Sequence, residues 1–351
     1  MVISPVRFLD FWRFVLHRFF VLIFLIVLAV SAGPAVAELA AEWPDGGGVQ
    51  GNAVSFPSSS PFSLRDAGKA TVPQTQARAT LFLPEDRSRP VPAVILLHGA
   101  GGVLRARELT YGAQYAAMGV AALVVDVFGA RRDRATGFVE RLIEITESMS
   151  LADAYAGLAY LADRGDIDPS RVALIGFSYG GMATTYAAHA QVAEAFSSNG
   201  LRFAAHVAFY APCIARFADV RSTGAPILFV SGGRDAIVDP DRCAEVDADL
   251  KTGGAVVRRI AYPDAVHQWD GFFAGPRMIG RNLAPCRFRV ARSGAVTDQR
   301  TGLPMTNRWL RGGVLALCVG REGYLIGRDD RVRARANRDV AAFLNPLLFS
   351  Q

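Results

Sequence analysis

Five apolar runs, most of them ending at glycine, constrain this chain more than anything else in it. They are VPAVILLHGAGG (91–102), VAALVVDVFG (120–129), RVALIGFSYGG (171–181), FAAHVAFYAPC (203–213) and APILFVSGGRD (225–235). A strand with one wet face alternates polar and apolar residues, and these runs do not. Continuous apolar runs of this length suit a parallel sheet covered by helices on both faces. Helical patterns fall between the first three runs, at about 105–118 and 138–163, and after the last, at about 240–251. A weakly alternating strand at 77–85 precedes the series, a strand in AVVRRIAYPDAVH (255–267) follows it, and a closing helix is expected over 334–348. Sustained β–α alternation predicts an α/β fold: one doubly wound, mostly parallel sheet with helices on both faces.

With 351 residues, 51% of them hydrophobic, the chain can bury one large core. Charged residues make up 20%, and the net charge of +6 is scattered. No basic block with interleaved aromatics appears, so nucleic acid is not an expected partner.

The first 37 residues read as a secretory signal peptide. Arg7, Arg13 and Arg18 precede the uncharged run FFVLIFLIVLAV (19–30), and the small-residue stretch SAGPAVA (31–37) follows. The apolar run is shorter than the roughly 20 residues a spanning helix needs. No stable membrane span is expected after cleavage, and the protein should be periplasmic or secreted. An uncleaved N-terminal tether is the alternative. Residues 38–70, rich in Gly, Pro and Ser over 38–62, read as a mobile lead-in. The remaining 71–351 are expected to form the α/β domain, interrupted at about 273–333 by a basic stretch with no clear period.

Cys213, Cys243, Cys286 and Cys318 are the cysteines of the chain. An even number in an exported protein suggests disulfides. Cys213 ends a strand and Cys243 opens the helix after the next strand, so parallel neighbours deliver both to one sheet edge. Cys286 and Cys318 both lie in the 273–333 stretch, which would gain most from a staple. The expected bridges are therefore Cys213–Cys243 and Cys286–Cys318. No metal-ligand spacing is present, and no cofactor is expected.

Gly176-Phe177-Ser178-Tyr179-Gly180 follows a buried strand and precedes a helical stretch. A nucleophile at such a junction needs small residues two positions to either side, so that the turn closes without collision. A bland alternative is a glycine-rich turn with a capping serine. A serine needs a base. His17 lies in the signal segment, and His98 shapes the turn after a strand. His189 falls on the helix after Ser178, on its outer side, and His206 lies inside a strand. His267 ends a strand on a polar loop and is the expected general base. Asp235, just past the strand ending at Val230, is favoured over Asp239 as the carboxylate that orients it. Backbone N–H groups of Tyr179 and Ala100 are the expected oxyanion donors.

The segments LLHGAGG, DVFGARR, IDPSRVALIGFSYGG, GGRDAIVDP and YPDAVHQWD together resemble the dienelactone hydrolase family of α/β-hydrolases. The resemblance covers roughly 75–270 and the closing helix, and the order Ser, Asp, His matches that superfamily. It implies an α/β-hydrolase fold and hydrolysis of a carboxylic ester or lactone, a small-molecule substrate. It also implies that Arg131, after the DVF strand, meets a substrate carboxylate; a solvated surface charge is the plainer reading. This chain departs from the dienelactone-cleaving enzymes in three ways. Ser178 stands where they carry cysteine, Gly99 where they carry glutamate, and the chain reads as exported where they are cytoplasmic. A peptidase or acyltransferase on the same fold and a catalytically silent binding protein are the rival readings.

Overall fold

The computed structural model describes residues 38–349. Its main sheet has eight strands: β1 (Gly51–Ser59), β2 (Gln74–Phe82), β3 (Val91–Leu97), β4 (Ala121–Val125), β5 (Ile167–Phe177), β6 (Ala205–Phe209), β8 (Ile227–Gly232) and β9 (Val257–Tyr262). Their order is β1-β2-β4-β3-β5-β6-β8-β9. From β4 to β9 all neighbours are parallel, while β1 and β2 run antiparallel at one side. Every residue of β4, β6 and β8 is buried, which is why these runs show no alternation.

Around the sheet lie helices α1 (Thr110–Ala117), α2 (Phe138–Glu144), α3 (Glu147–Ala162), α4 (Tyr179–Ala187), α5 (Ala190–Phe196), α6 (Pro240–Thr252), α7 (Arg308–Cys318) and α8 (Asp330–Leu348), a few single-turn helices, and the short strands β7 (Ala215–Phe217), β10 (Arg277–Ile279), β11 (Phe288–Val290), β12 (Val296–Asp298) and β13 (Tyr324–Ile326). Apolar side chains fill both faces of the sheet. Val94, Leu96, Val207 and Phe229 share one cluster with α8, and Ile95, Leu97, Leu123 and Leu174 share the other with α3 and α4.

The register brings the strand ends level. Leu97 pairs with Gly176, Phe177 with Phe209, Phe209 with Val230, and Gly232 with Tyr262. The residues that follow these ends share the carboxyl edge of the sheet, where ligands bind in folds of this kind.

Four expectations need correction. The lead-in is an ordered part of the domain, not a mobile one. Gly51–Ser59 pairs along its whole length with β2, and the Asn345 side chain hydrogen-bonds both the N–H and the carbonyl of Leu39. Pro57 disguised the strand, but β1 is the sheet edge, where a missing N–H costs no ladder bond. The helical stretch 138–163 is two helices, broken where Ile145 and Thr146 turn extended. Cys213 lies four residues beyond the end of β6 and does not end the strand. Finally, the 273–333 stretch carries structure despite its lack of period. β11 and β12 join β7 in a three-stranded sheet, and β10 pairs with β13. The proposed signal peptide, with His17, lies outside the described residues.

Candidate active site

Ser178 sits where β5 turns into α4, with φ of 54° and ψ of −108°. Positive φ at a non-glycine residue is strained, and the surroundings hold it there. The Ser178 N–H donates to the Phe209 carbonyl at 2.9 Å, and Met182 N–H returns to the Ser178 carbonyl at 2.9 Å. The flanking glycines permit the approach. A Cβ on Gly176 would stand 2.1 Å from the Gly180 carbonyl oxygen, and one on Gly180 would stand 2.3 Å from that of Leu97. The spacing of the GFSYG motif is therefore a packing requirement as well as a turn.

His267 lies on the loop after β9, and its Nε2 is 2.8 Å from Ser178 Oγ. Its Nδ1 is 2.7 Å from Asp235 Oδ2. An N–H directed at a carboxylate fixes the tautomer and leaves Nε2 free to accept the serine proton. Asp235 Oδ1 also accepts from Ile237 N–H at 3.2 Å. All three side chains are almost wholly buried. Asp239 has a different task. Its carboxylate caps α6 by accepting from the N–H groups of Asp241 and Arg242, and it pairs with Arg287 at 2.8 Å.

Tyr179 is the first residue of α4, so its N–H has no intrahelical acceptor and points out of the helix at its positive end. Ala100 lies in the turn closed by Gly102 N–H on the Gly99 carbonyl, at 3.0 Å. This turn abuts the serine: a Cβ on Gly99 would lie 3.5 Å from Ser178 Cβ and 3.3 Å from Arg107 Nη2. The Tyr179 ring is turned away, its hydroxyl donating to the Ile145 carbonyl at 2.7 Å.

Among the described residues, the other histidines make no hydrogen bond to Ser178. His98 is buried, its ring 4.5 Å from that of Phe128, and burial lowers its pKa. His189 was expected on the outside of a helix. Instead it is buried just before α5 and stacks on Phe217 with centroids 4.0 Å apart. His206 is buried within β6. Desolvation pushes both His189 and His206 down to about 4.

Arg131 also departs from expectation. It is buried, and each of its five N–H donors has an acceptor. Nε binds Ser60 Oγ, Nη1 binds the Val127 carbonyl and Asp153 Oδ2, and Nη2 binds the Ser59 carbonyl and Asp153 Oδ1. It ties β1 to α3 and keeps no donor for a substrate carboxylate.

Sequence reasoning missed several neighbours of the triad. Tyr210, at φ of 38°, sets its ring 4.7 Å from that of His267. Its hydroxyl donates to Asp270 Oδ1 at 2.5 Å. Burial pushes the Asp270 carboxyl up, against the pull of Arg107 and the Tyr210 hydrogen bond. Arg107 and Glu108 form a fully buried ion pair at 2.6 Å. Tyr324 approaches His267 from 57 residues further along the chain, ring to ring at 5.2 Å. The tyrosines follow strand ends or sit in the aperiodic stretch, and nothing in their spacing marks them. Both expected bridges are present, Cys213–Cys243 and Cys286–Cys318, with Cα separations of 5.1 and 4.8 Å.

A parallel sheet carrying a serine on a strand-to-helix elbow, with His and Asp on later strand ends, defines an α/β-hydrolase fold. The chain belongs to the dienelactone hydrolase family, whose model matches residues 77–284, more than half of its length. That family is one of hydrolases acting on ester bonds. YtaP of Bacillus subtilis (strain 168), a candidate hydrolase by its name, is 31% identical over 131 residues, which are 32% of this chain and 44% of that protein. The quorum-quenching protein AidA of Acinetobacter baumannii is 35% identical over 92 residues, 26% of this chain and 28% of that one. The matches thus span less than half of either curated relative. Among solved structures, esterase 2 of Thermogutta terrifontis is similar at a TM-score of 0.47 and 15% identity, over 65% of this chain and 88% of that one.

Proposed function

We propose that this chain is an exported serine hydrolase that cleaves a carboxylic ester or lactone through an acyl-enzyme. The observation that carries the reading is the unbroken hydrogen-bond series from Asp235 through His267 to Ser178, at 2.7 and 2.8 Å. His267 Nε2 takes the Ser178 proton as Oγ attacks the carbonyl carbon. The resulting oxyanion accepts from the backbone N–H groups of Tyr179 and Ala100, and Asp235 stabilises the imidazolium. His267 then protonates the departing alkoxide. Water enters, gives its proton to His267 and attacks the acyl carbon, and His267 returns that proton to Ser178 Oγ as the acid leaves. A lactone follows the same course, with the alcohol held on the acyl chain.

Export belongs to the same proposal. The arginine-flanked apolar run at 19–30 supports it, as does the pairing of all four cysteines, since disulfides persist in oxidising compartments. Among the described residues no helix is long and apolar enough to cross a membrane.

The test is a panel of chromogenic esters of graded acyl length, with lactones, against wild type and Ser178→Ala. Hydrolysis that depends on Ser178 supports the reading. Product transfer to an added alcohol or amine in excess of hydrolysis would make the enzyme an acyltransferase. Absence of turnover together with absence of fluorophosphonate labelling would favour a binding protein.

A further inference from the structure

The loops that present Asp235 and His267 follow β8 and β9, and β9 is the last strand of the sheet. Nothing in the main sheet lies beyond it to hold the histidine loop. The ribbon formed by β10 and β13 supplies that support. His267 N–H donates to the Leu325 carbonyl at 3.0 Å, and Gly327 N–H donates to the His267 carbonyl at 3.0 Å. Asp329 N–H on the Trp269 carbonyl and Arg328 N–H on the Phe273 carbonyl, each at 2.8 Å, extend the same contact. His267 itself is bridged in parallel to Ile326. The Tyr324 ring stands nearly perpendicular to the imidazole, at an interplanar angle of 84°.

The ribbon reaches the acid loop as well. Asn282 Nδ2 donates to the carbonyl of Ala236, next to Asp235, at 2.9 Å. Along the ribbon, Arg277 to Ile279 pair with Ile326 to Tyr324, and Asn282 pairs with Gly320. Just beyond that last pair the Cys286–Cys318 bridge closes the two strands. The family match stops at residue 284, so β10 and Asn282 lie within it, while β13, Gly320 and both cysteines of the bridge lie beyond it.

We propose that the disulfide-closed ribbon positions the catalytic base, with Tyr324 as the positioning residue and Asn282 fixing the ribbon to the acid loop. A hydrolase activity that depends on this inserted staple follows. The ribbon touches the backbone and ring of His267 and, among the described residues, makes no hydrogen bond to Ser178. Its loss should therefore displace the base and leave the serine and the oxyanion donors where they are. A shift of about 1 Å in a catalytic group can lower the rate by as much as 100-fold. The inference rests on the serine-hydrolase reading above.

The experiment compares wild type, Tyr324→Phe, Tyr324→Ala, the double variant Cys286→Ala/Cys318→Ala, and Ser178→Ala. Each is expressed as the full chain and checked for fold by circular dichroism. Rates are expressed per functional serine, counted by fluorophosphonate titration to completion. Tyr324→Ala and the cysteine pair should lower kcat by about 10- to 100-fold with KM within twofold. The rate of fluorophosphonate labelling should fall in parallel. Tyr324→Phe keeps the ring and should restore kcat to within threefold of wild type. A purely structural ribbon would lower the number of titratable serines and leave kcat per serine unchanged. That result, with Ser178→Ala inactive, overturns the inference alone. Full activity in Ser178→Ala overturns the serine reading and this inference with it.

Discussion

Gly180 is in backbone contact with Leu97. A methyl group at position 180 would stand 2.3 Å from the Leu97 carbonyl oxygen and 2.7 Å from that of His98. The elbow therefore presses against the end of the neighbouring strand, and that contact holds Ser178 at positive φ. Gly180→Ala should destabilise the fold by about 1–3 kcal/mol or more, since neither carbonyl can rotate aside. It should also lower turnover. Urea unfolding and ester hydrolysis measure the two effects, and a neutral Gly180→Ala in both would disprove the contact.

Asp235 and Asp239 should separate cleanly. Asp235→Asn keeps the shape but no longer holds the histidine in the required tautomer, and kcat should fall by roughly 10,000-fold. Asp239→Ala removes the α6 cap and the Arg287 partner, which should cost about 1 kcal/mol of stability and leave kcat within a few-fold. The reverse ranking in matched kinetics would move the orienting role to Asp239.

Arg131 should matter for stability and not for substrate affinity. Asp153→Ala strands a buried guanidinium and should cost about 3–5 kcal/mol. Arg131→Met removes the charge, and the protein that still folds should keep its KM for anionic and neutral esters alike. A selective loss of affinity for carboxylate-bearing esters would restore Arg131 to the substrate site.

His189 and His206 should make the fold acid-sensitive. Both are held at about 4 by burial, below their ordinary value of 6.5. Between those values the unfolded chain binds protons that the native chain does not. Stability then rises with pH across the window and is lost as pH falls from about 6.5 to 4. The two together should contribute on the order of a few kcal/mol, and His189→Phe should flatten the slope of melting temperature against pH. An unchanged slope in that variant would contradict the burial argument for His189.

The legible and illegible parts of this protein differ for physical reasons. The meeting of Ser178, Asp235 and His267 was legible because each follows a strand, two of them apolar runs, and parallel strands bring such ends to one edge. Cys213–Cys243 was legible from the edge argument even though Cys213 lies four residues past β6, and Cys286–Cys318 from the aperiodic stretch that holds both. β1 was hidden because edge strands tolerate the Gly, Pro and Ser that read as loop. Arg131 was misread because a guanidinium after a strand looks alike in sequence whether water or Asp153 receives it. Tyr210 and Tyr324 could not be found, since each meets His267 only through tertiary folding, across 57 residues in both cases.

The nucleophile itself provides the most direct test. Ser178→Ala and wild type should be purified side by side and assayed on the best ester of the panel. The account predicts a folded Ser178→Ala protein whose turnover is lower by about a million-fold, the loss expected when the triad acts as a unit. It also predicts no covalent labelling by a fluorophosphonate. Residual turnover above a few percent of wild type in a preparation free of contaminating esterase would contradict it.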